Sequence, residues 1–328
     1  MKRQQSITLQ NAPVEIPKPL EQLSEKELER KVYIGKVMTY TLRNLTTQFV
    51  EHNFQWLLPV SLSPVTDPLW PDPGASIEKR VEVDIYGRTV RTTASMIIHK
   101  IIASSTAYPK LFILSPNVRI EKRERAYTGK HVYEFTQLDF EVRNATSNDI
   151  INFVSDLVCN LVASLKRDLK QELTYLGRYD TLKVPKKPFK ICDKQELEKE
   201  YGVEWETCVA MANSDPVWIT NIPREFYDFE DFQTGIWDNY DLFMPQYGEV
   251  LSGAKREWEY EKILKKIERD KINKDNYAPL LKLAKQGKIK PSAGAGIGIE
   301  RIVGWLTGVA HIAETQPFPR VPGTVNDL

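Results

Sequence analysis

Charged and aromatic residues alternate along residues 118–123 and 131–142, and the alternation predicts a strand in each segment. One face of 131–142 is mostly apolar, whereas the other carries Phe135, Gln137, Asp139 and Glu141. One face of 118–123 carries Arg119, Glu121 and Arg123. If the two strands pair, arginines face carboxylates beside a ring that can stack on a ligand. A solvated sheet face with surface ion pairs is the simpler interpretation of these strands alone, because exposed charge is ordinary on antiparallel sheets.

A glycine-rich segment, residues 294–301, could bring backbone close to a ligand. It does not fit a dinucleotide-binding loop, since Ile299 stands where the third glycine of GxGxxG is required. It is not a phosphate-binding P-loop either, because no Gly-Lys-Ser/Thr follows. Tight packing of a helix on a sheet is the alternative explanation for its small residues.

Composition excludes several classes of protein. The 328 residues include 45 Lys and Arg against 44 Asp and Glu, a net charge of +1, which weakens any role based mainly on attraction to a phosphate backbone. The three cysteines and four histidines lack metal-ligand spacing, and neither a disulfide framework nor structural zinc is expected. No apolar run reaches the length of a membrane span, and the polar start lacks a signal-peptide core. We expect a soluble cytoplasmic protein without membrane contact.

Several elements must position these side chains. Periodicity predicts helices over residues 20–52, 95–105, 149–176, 194–201 and 257–288. Strands are predicted over 54–65, 81–86, 88–93, 111–114, 118–125, 131–143 and within 226–250. A strand is expected to lead into a helix across 294–308. The order favours an α+β fold with an antiparallel sheet flanked by helices. We expect an N-terminal arm over 1–27 and a single catalytic domain over 28–328.

Together, these segments resemble the catalytic core of class II aminoacyl-tRNA synthetases of the aspartyl/asparaginyl branch. The helix before Pro64 resembles motif 1, the dimer element of the family. Segments that resemble the other motifs are 119–121 (RIE) with 131–141 (HVYEFTQLDFE), 240–257 (YDLFMPQYGEVLSGAKRE), 291–302 (PSAGAGIGIERI) and 316–320 (QPFPR). The resemblance covers roughly residues 28–322. It implies an antiparallel class II sheet, a homodimer and an active site that adenylates a carboxylate with ATP.

The resemblance implies roles for residues around ATP. Arg119 would bridge the α-phosphate and the reacting carboxylate, a task suited to a planar guanidinium. Glu121 would accept from the adenine amino group, and adenine would stack between Phe135 and Arg301. His131 and Arg301 would reach the γ-phosphate, and Gly298 to Arg301 would line the ATP site. The catalytic residues would be Arg119, Asp139 and Arg301.

The same resemblance implies a metal site and a substrate pocket. Asp241, Glu249 and Ser252 would bind Mg²⁺, a hard cation that prefers oxygen ligands. Residues expected to bind aspartate are Ser95, Lys100, Arg119, Gln137, Asp139, Ser252 and Arg256. Lys100 and Arg256 would together hold one of its carboxylates.

Two departures from the family concern the α-ammonium. The family's glutamine is replaced by Ile97, and its glutamate after motif 1 falls near Pro73, with only Asp72 close by. This favours aspartate bound in reverse, with its β-carboxylate activated.

The expected activity follows from what the chain lacks. Synthetases of this branch carry an N-terminal anticodon-binding barrel, and only some 25 residues precede the core here. We therefore expect an archaeal-type, ammonia-dependent asparagine synthetase: ATP adenylates aspartate, and ammonia then displaces AMP. Aspartate and ammonia would be the substrates, and tRNA an improbable partner. Asp139 or Glu141 could accept the proton of ammonia, although Glu141 could instead support an arginine.

Two alternatives remain open. The chain could be an aspartyl/asparaginyl-tRNA synthetase paralogue that charges tRNA or another amine acceptor. It could also be a catalytically silent regulatory paralogue.

Overall fold

The computed structural model describes residues 13–65 and 77–327. The predicted proline-rich loop over 64–74, with Asp72 and Pro73, lies mostly outside the described residues, and so do residues 1–12 of the predicted arm. None of the helices in the described part combines the length and apolar character needed to cross a lipid bilayer.

Helices and strands alternate along the chain. The α-helices in the described residues are α1 (Glu25–Glu51), α2 (Ile97–Thr106), α3 (Ser147–Asp168), α4 (Lys170–Tyr175), α5 (Lys194–Tyr201), α6 (Trp205–Ala212), α7 (Tyr260–Arg269), α8 (Ala278–Lys285) and α9 (Ile299–Thr307). The strands are β1 (Gln55–Leu57), β2 (Leu62–Ser63), β3 (Ile77–Lys79), β4 (Glu82–Ile85), β5 (Arg88–Thr92), β6 (Lys110–Val118), β7 (Ile120–Glu121), β8 (Glu134–Arg143), β9 (Lys190–Asp193), β10 (Val217–Thr220), β11 (Glu230–Asp231), β12 (Ile236–Trp237), β13 (Asn239–Met244), β14 (Gly248–Lys255) and β15 (Ser292–Gly298).

The central element is an eight-stranded sheet with the order β1-β6-β8-β15-β14-β13-β10-β9. Neighbouring strands are antiparallel except at the two edges, where β1 pairs with β6 and β9 pairs with β10 in parallel. With helices around this sheet, the predicted α+β class is confirmed, and the sheet is mixed rather than purely antiparallel.

One face of the sheet carries the main apolar core. Helices α1, α3 and α9 cover it, and Leu138 and Phe140 of β8 point into it with Ala295 of β15. Helix α1 begins at a capping box, in which the Ser24 amide donates to a Glu27 oxygen at 2.7 Å. Gly35 lies inside α1 without interrupting it.

The opposite face carries the polar residues. Helix α2 packs against β8 on this side, and β8 turns Gln137 and Asp139 to the cavity described below. The two-residue periodicity of 131–142 therefore separates core from cavity as predicted.

Several predicted boundaries are wrong. Residues 118–125 do not form one strand: β7 is two residues long and pairs with β3, and a 3-10 helix follows over Arg123–Thr128. The partner of β8 is β6, with Val118 opposite Glu134. The helix predicted over 149–176 breaks at Leu169, and the one over 257–288 divides into α7 and α8.

Candidate functional site

A cavity of about 300 Å³ opens on the polar face of the sheet. Every residue predicted to bind ATP, aspartate or Mg²⁺ lines it, with the exception of Asp241, which lies opposite Ser252 on the neighbouring strand. The predicted residues that line it are Ser95, Lys100, Arg119, Glu121, His131, Phe135, Gln137, Asp139, Glu249, Ser252, Arg256, Gly298 and Arg301. Residues more than 200 positions apart therefore meet in one space.

Buried charges form the floor of the cavity. The Lys100 ammonium donates to Asp139 Oδ1 at 2.8 Å and to the Ala295 carbonyl at 3.0 Å. A second carboxylate, Glu141, lies 3.9 Å from the same ammonium. An unpaired charge at such depth would be costly, and each of these side chains lies beside one of opposite charge.

Arg256 completes this floor network. Its Nη1 donates to Asp228 Oδ1 at 2.7 Å, and its Nε donates to Glu141 Oε1 at 3.3 Å. Burial opposes the charge of Arg256, but Glu141 and Asp228 outweigh it and hold the pKa of the guanidinium above its usual range.

The floor network corrects the predicted role of Lys100 and Arg256. They are not an open pair of cations awaiting a substrate carboxylate, since both already pair with carboxylates of the chain. Two cations face three carboxylates, Asp139, Glu141 and Asp228, and the formal charge is −1. Glu141 is buried and accepts from the Ser292 hydroxyl at 2.8 Å, and it does not line the cavity. It supports Arg256 and is not placed to accept a proton from a ligand.

The glycine-rich segment makes room for this network. Strand β15 pairs with β8 so that Gly294, Gly296 and Gly298 lie opposite Glu141, Asp139 and Gln137 respectively. A Cβ at Gly296 would lie 2.9 Å from Gln137 Nε2 and 3.0 Å from Asp139 Oδ1. Glycine at every second position thus leaves space for the polar side chains of β8. The intervening alanines and Ile297 face the core.

Asp139 presents one oxygen to a ligand. Its Oδ1 is taken by Lys100, while Oδ2 is buried and has no hydrogen-bond partner among the described residues. A buried carboxylate oxygen without a donor is unfavourable, so this atom calls for an N–H or O–H donor from a bound molecule. Beside it, Gln137 Oε1 accepts from Asn117 at 2.9 Å, which fixes the amide orientation.

Arg119 and Phe135 lie together in the same cavity. The Arg119 guanidinium carbon stands 5.1 Å from the centre of the Phe135 ring, and Nε donates to the Ala94 carbonyl at 3.1 Å. The backbone amide of Arg119 donates to Tyr133 O at 2.8 Å. Beyond the pairing of Val118 with Glu134, the two segments therefore meet through this backbone hydrogen bond and not through a continued strand pair. A planar cation and an aromatic ring here form a surface suited to an anionic, aromatic ligand.

Positive charge concentrates at another part of the cavity. Arg301 donates to Glu249 Oε1 at 3.0 Å, and Lys130 and His131 lie on the same wall. Burial and the charge of Arg301, with Arg125, Lys130 and Arg119 adding to it, lower the pKa of His131 to about 3. His131 is consequently neutral near pH 7. Lys130 makes no hydrogen bond through its ammonium within the described residues.

A β-bulge shapes the wall formed by β14. Residues three apart point to opposite faces of a regular strand, yet Glu249 and Ser252 both line the cavity. The register with β13 shifts between Leu251, opposite Leu242, and Glu249, opposite Phe243. Because the bulge adds one residue, it turns Glu249 to the same side as Ser252.

The predicted Mg²⁺ ligands do not form an open oxygen cage. Arg224 forms an ion pair with Asp241 Oδ2, and its Nη1 donates to Ser252 Oγ at 2.6 Å. The third predicted ligand, Glu249, is held by Arg301. Burial raises the pKa of Asp241, against the opposing effect of Arg224. Within residues 13–65 and 77–327, no cluster of three His, Cys, Asp or Glu side chains could hold a metal ion. Asp241 Oδ1, however, is buried and receives no hydrogen bond from the described residues, so the set keeps an oxygen of the kind that Mg²⁺ prefers.

Sequence reasoning missed several charged residues of the cavity, among them Lys130, Arg224 and Asp228. Lys130 adjoins His131 and was within reach of the sequence, and Glu300 belongs to the segment 298–301 that the resemblance placed at the ATP site. Glu300 is buried and accepts from the Thr136 amide at 3.0 Å, and burial raises its pKa to about 7. Arg224 and Asp228 follow strand β10, and no spacing in the sequence connects them to the motifs.

Comparison with known proteins agrees with this geometry. The family of class II tRNA synthetases (D, K and N) matches residues 77–322, and the chain belongs to that family. Among curated proteins, the asparagine–tRNA ligase of Mycoplasma mycoides is 28% identical over 274 residues, covering 74% of this chain and 59% of the ligase. The asparagine–tRNA ligase of Thermoplasma acidophilum is 26% identical over 260 residues, covering 73% and 59% respectively. The chain thus spans about three fifths of the length of these relatives.

Solved structures show the same fold. Asparaginyl-tRNA synthetase from Pyrococcus horikoshii with asparaginyl-adenylate has a TM-score of 0.80 at 22% identity, covering 94% of this chain and 75% of that one. The enzyme from Entamoeba histolytica with asparaginyl-adenylate has a TM-score of 0.78 at 20% identity, covering 90% and 68%. These likenesses establish the class II architecture expected from the motifs.

The comparisons overturn the expected activity. The curated relatives are asparagine–tRNA ligases, so the expectation of an ammonia-dependent asparagine synthetase is wrong. The predicted activation of the β-carboxylate of aspartate is therefore also wrong. It required Lys100 and Arg256 to hold the α-carboxylate, and both already pair with carboxylates of the chain. The expectation that tRNA is an improbable partner is also contradicted, because the names of both relatives include tRNA.

Proposed function

We propose that this chain is the catalytic core of an asparaginyl-type tRNA ligase, which activates asparagine with ATP and transfers it to tRNA. The observation that carries the proposal is the meeting of the three family motifs around one cavity, with Arg119 on Phe135 at one side and the charged floor at the other. Family membership and the curated relatives support the same reaction.

The floor network favours asparagine over aspartate. A second carboxylate on the substrate would approach a network whose formal charge is already −1, and like charges at short range repel. A carboxamide is neutral. Its NH₂ group, like the α-ammonium, can donate a hydrogen bond to Asp139 Oδ2. The remaining N–H groups of Arg256, which lines the cavity, are of the type that a carboxamide oxygen accepts.

In the first step, an oxygen of the substrate carboxylate attacks the α-phosphorus of ATP. A new O–P bond forms, the bond to the β-phosphate bridging oxygen breaks, and pyrophosphate leaves. Arg119 stabilises the negative charge that develops on the α-phosphate oxygens, through a guanidinium already held by Ala94 O. Arg301 and Lys130 supply positive charge for the departing pyrophosphate.

In the second step, a ribose hydroxyl at the 3′ end of tRNA attacks the carbonyl carbon of the adenylate. The acyl–oxygen bond to AMP breaks, an ester to tRNA forms, and the proton of the ribose hydroxyl leaves with the AMP phosphate. The buried floor holds the amino acid through both steps, because its charges are fixed by one another before substrate enters.

Two assays test the proposal. ATP–pyrophosphate exchange with asparagine, and separately with aspartate, should show at least tenfold higher kcat/KM for asparagine. Charging of total tRNA with labelled asparagine tests the second step. Exchange with aspartate alone, or no exchange with either amino acid, would contradict the proposal.

Arg119→Lys provides the matched variant for these assays. It keeps the charge but loses the planar fork, and kcat of exchange should fall about 100-fold. Arg167→Lys is the control, because Arg167 is 69% exposed and its ion pair is with Asp168, a carboxylate at the surface. An unchanged kcat in Arg119→Lys would show that the Arg119 guanidinium does not stabilise the transition state.

We also propose a homodimer, as the family resemblance implies. Strand β1 is an edge of the eight-stranded sheet; it carries Trp56, which is 54% exposed, and Leu58 directly after it is 89% exposed. A second copy that covers this edge would bury apolar surface and unpaired backbone groups. Light scattering should give a mass near 76 kDa, twice the 37.8 kDa of one chain, and Leu58→Asp should shift it toward the monomer.

A further inference from the structure

Asp228 is the carboxylate of the floor network that lies outside the segments resembling the family motifs. It is part of the loop between β10 and β11, lines the cavity and is 1% exposed. The other two carboxylates of the floor, Asp139 and Glu141, both belong to β8. A substitution at Asp228 therefore changes the charge of the floor without altering the strand that carries the other two.

Two of the five N–H groups of Arg256 have no acceptor among the residues that the structure describes. Its Nη1 donates to Asp228 Oδ1 at 2.7 Å, Nε donates to Glu141 Oε1 at 3.3 Å, and Nη2 donates to the Gly294 carbonyl at 3.2 Å. Since Arg256 lines the cavity, its two remaining N–H groups are available to an oxygen of a bound side chain. One of them belongs to the same nitrogen that Asp228 holds, so the charge of Asp228 acts directly on whatever binds there.

The position of Asp228 is fixed from behind by a buried lysine. The Lys266 ammonium donates to the Asp228 carbonyl at 2.6 Å and to Glu257 Oε2 at 3.2 Å, and the side chains of Lys266 and Glu257 are both 0% exposed. The backbone of Asp228 also forms an antiparallel bridge with that of Arg256. Because both partners of the ion pair are held through the main chain, the Asp228 carboxylate stays beside Arg256 when a ligand enters.

We propose that Asp228 makes the cavity specific for a neutral amide side chain, because its carboxylate cancels the charge of Arg256 where the side chain of the amino acid binds. The inference rests on the proposed use of asparagine. With Asp228 present, two cations face three carboxylates, and the β-carboxylate of aspartate would add a fourth. Without it, two cations would face two carboxylates, and Arg256 could form an ion pair with aspartate. A carboxamide oxygen accepts from the same N–H groups in either case.

Binding of the free amino acids is measured by calorimetry, without ATP or tRNA. Asp228→Asn should bind aspartate about tenfold more tightly than the wild type does, because one repelling charge is removed, and its affinity for asparagine should stay nearly the same. A purely structural role of Asp228 would instead weaken the binding of both amino acids. An aspartate affinity of the folded variant that equals or falls below that of the wild type would overturn the proposal.

Asp228→Ser is the second variant. Asn239 Nδ2 donates to Asp228 Oδ2 at 3.4 Å, so an asparagine at position 228 would place a second NH₂ group near the first. Serine removes the charge without adding an NH₂ group. The expected gain in aspartate affinity is the same for both variants, and thermal unfolding of each shows whether it is folded.

Glu230→Gln is the matched control. Glu230 lies two residues further along the chain, is buried and pairs with Arg269 at 2.7 Å, but it does not line the cavity. Glu230→Gln should leave the affinities for both amino acids unchanged. An equal gain in aspartate affinity in Glu230→Gln would show that the effect comes from net charge and not from the contact with Arg256, which would also overturn the proposal. A wild type that prefers aspartate would contradict the proposed function alone, since the inference is tested by the change in affinity between variants.

Discussion

The Lys100 ammonium lies 2.8 Å from Asp139 Oδ1, and neither side chain is more than 2% exposed. Lys100 comes from α2, and Asp139 from the centre of β8, so this pair joins a helix to the sheet beneath it. The pair also sets which oxygen of Asp139 remains for a ligand. The same ion pair therefore contributes to the stability of the fold and leaves Asp139 Oδ2 open to a ligand.

Lys100→Met should destabilise the fold by about 3–5 kcal/mol, because Asp139 and Glu141 would lose a buried partner. Urea unfolding followed by fluorescence measures the change in the free energy of unfolding. Lys262→Met is the control: Lys262 pairs with Glu259 at 2.6 Å, but the side chains are 32% and 46% exposed. Its loss should stay below about 1 kcal/mol. Equal losses in the two variants would show that the Lys100 pair contributes no more than a surface pair.

Gly294→Ala should prevent folding or lower stability strongly. A Cβ there would overlap the Phe140 carbonyl and the Glu141 carboxylate, and neither backbone nor the buried floor network can move away cheaply. Gly35→Ala is the opposite case, because no atom lies within 4 Å of its added Cβ and the residue sits inside helix α1. It should stabilise the protein by about 0.5–1 kcal/mol. Thermal unfolding measures both variants. If their unfolding temperatures shifted in the same direction relative to the wild type, this explanation would be wrong.

Alternation was the most informative pattern in the sequence. It separated the core face of 131–142 from its polar face, and Phe135, Gln137 and Asp139 do face the cavity. The glycine-rich segment was also recognised in the sequence, but the sequence did not show which side chains its glycines face. Only the register of β15 on β8 shows that each glycine clears space for one particular side chain.

Long-range pairing was beyond the sequence. Residues 118–125 alternate like a strand, yet tertiary packing turns Arg123–Thr128 into a 3-10 helix, because local propensity is weak compared with the demands of the surrounding fold. The bulge in β14 leaves no local signature that distinguishes it from a regular strand. The sequence predicts Lys100 and Arg256 as a pair of free cations for the same reason. Their carboxylate partners lie up to 115 residues away along the chain, so no local pattern reveals them.

His131 should make the protein less stable in acid. Its pKa is about 3 in the folded state against an ordinary value of 6.5, so the unfolded chain binds the proton more readily. This group therefore contributes full stability above pH 6.5 and loses it as the pH falls toward 3. The loss between pH 7 and pH 5 should be about 1–2 kcal/mol.

His131→Asn should remove this part of the acid sensitivity. The measurement is the free energy of unfolding in urea at pH 7, 6 and 5, and the slope between pH 7 and 5 should be shallower for the variant than for the wild type. His52→Asn serves as the control, since His52 is exposed and lies outside the cavity. Identical slopes for His131→Asn and the wild type would show that His131 protonates equally readily in the folded and unfolded chains.

Lys130→Met should raise the KM for ATP about tenfold and leave the KM for asparagine unchanged. The ammonium of Lys130 lies on the same wall as Arg301 and His131, away from the floor that would hold the amino acid. Removing one cation from a polyphosphate site weakens attraction to a highly charged ligand, and the effect shrinks as salt rises. ATP–pyrophosphate exchange at low and high salt measures both KM values. Lys122→Met controls for a general loss of positive charge, because Lys122 is exposed and does not line the cavity. If Lys130→Met raised the KM for asparagine instead, the assignment of the two ends of the cavity would have to be reversed.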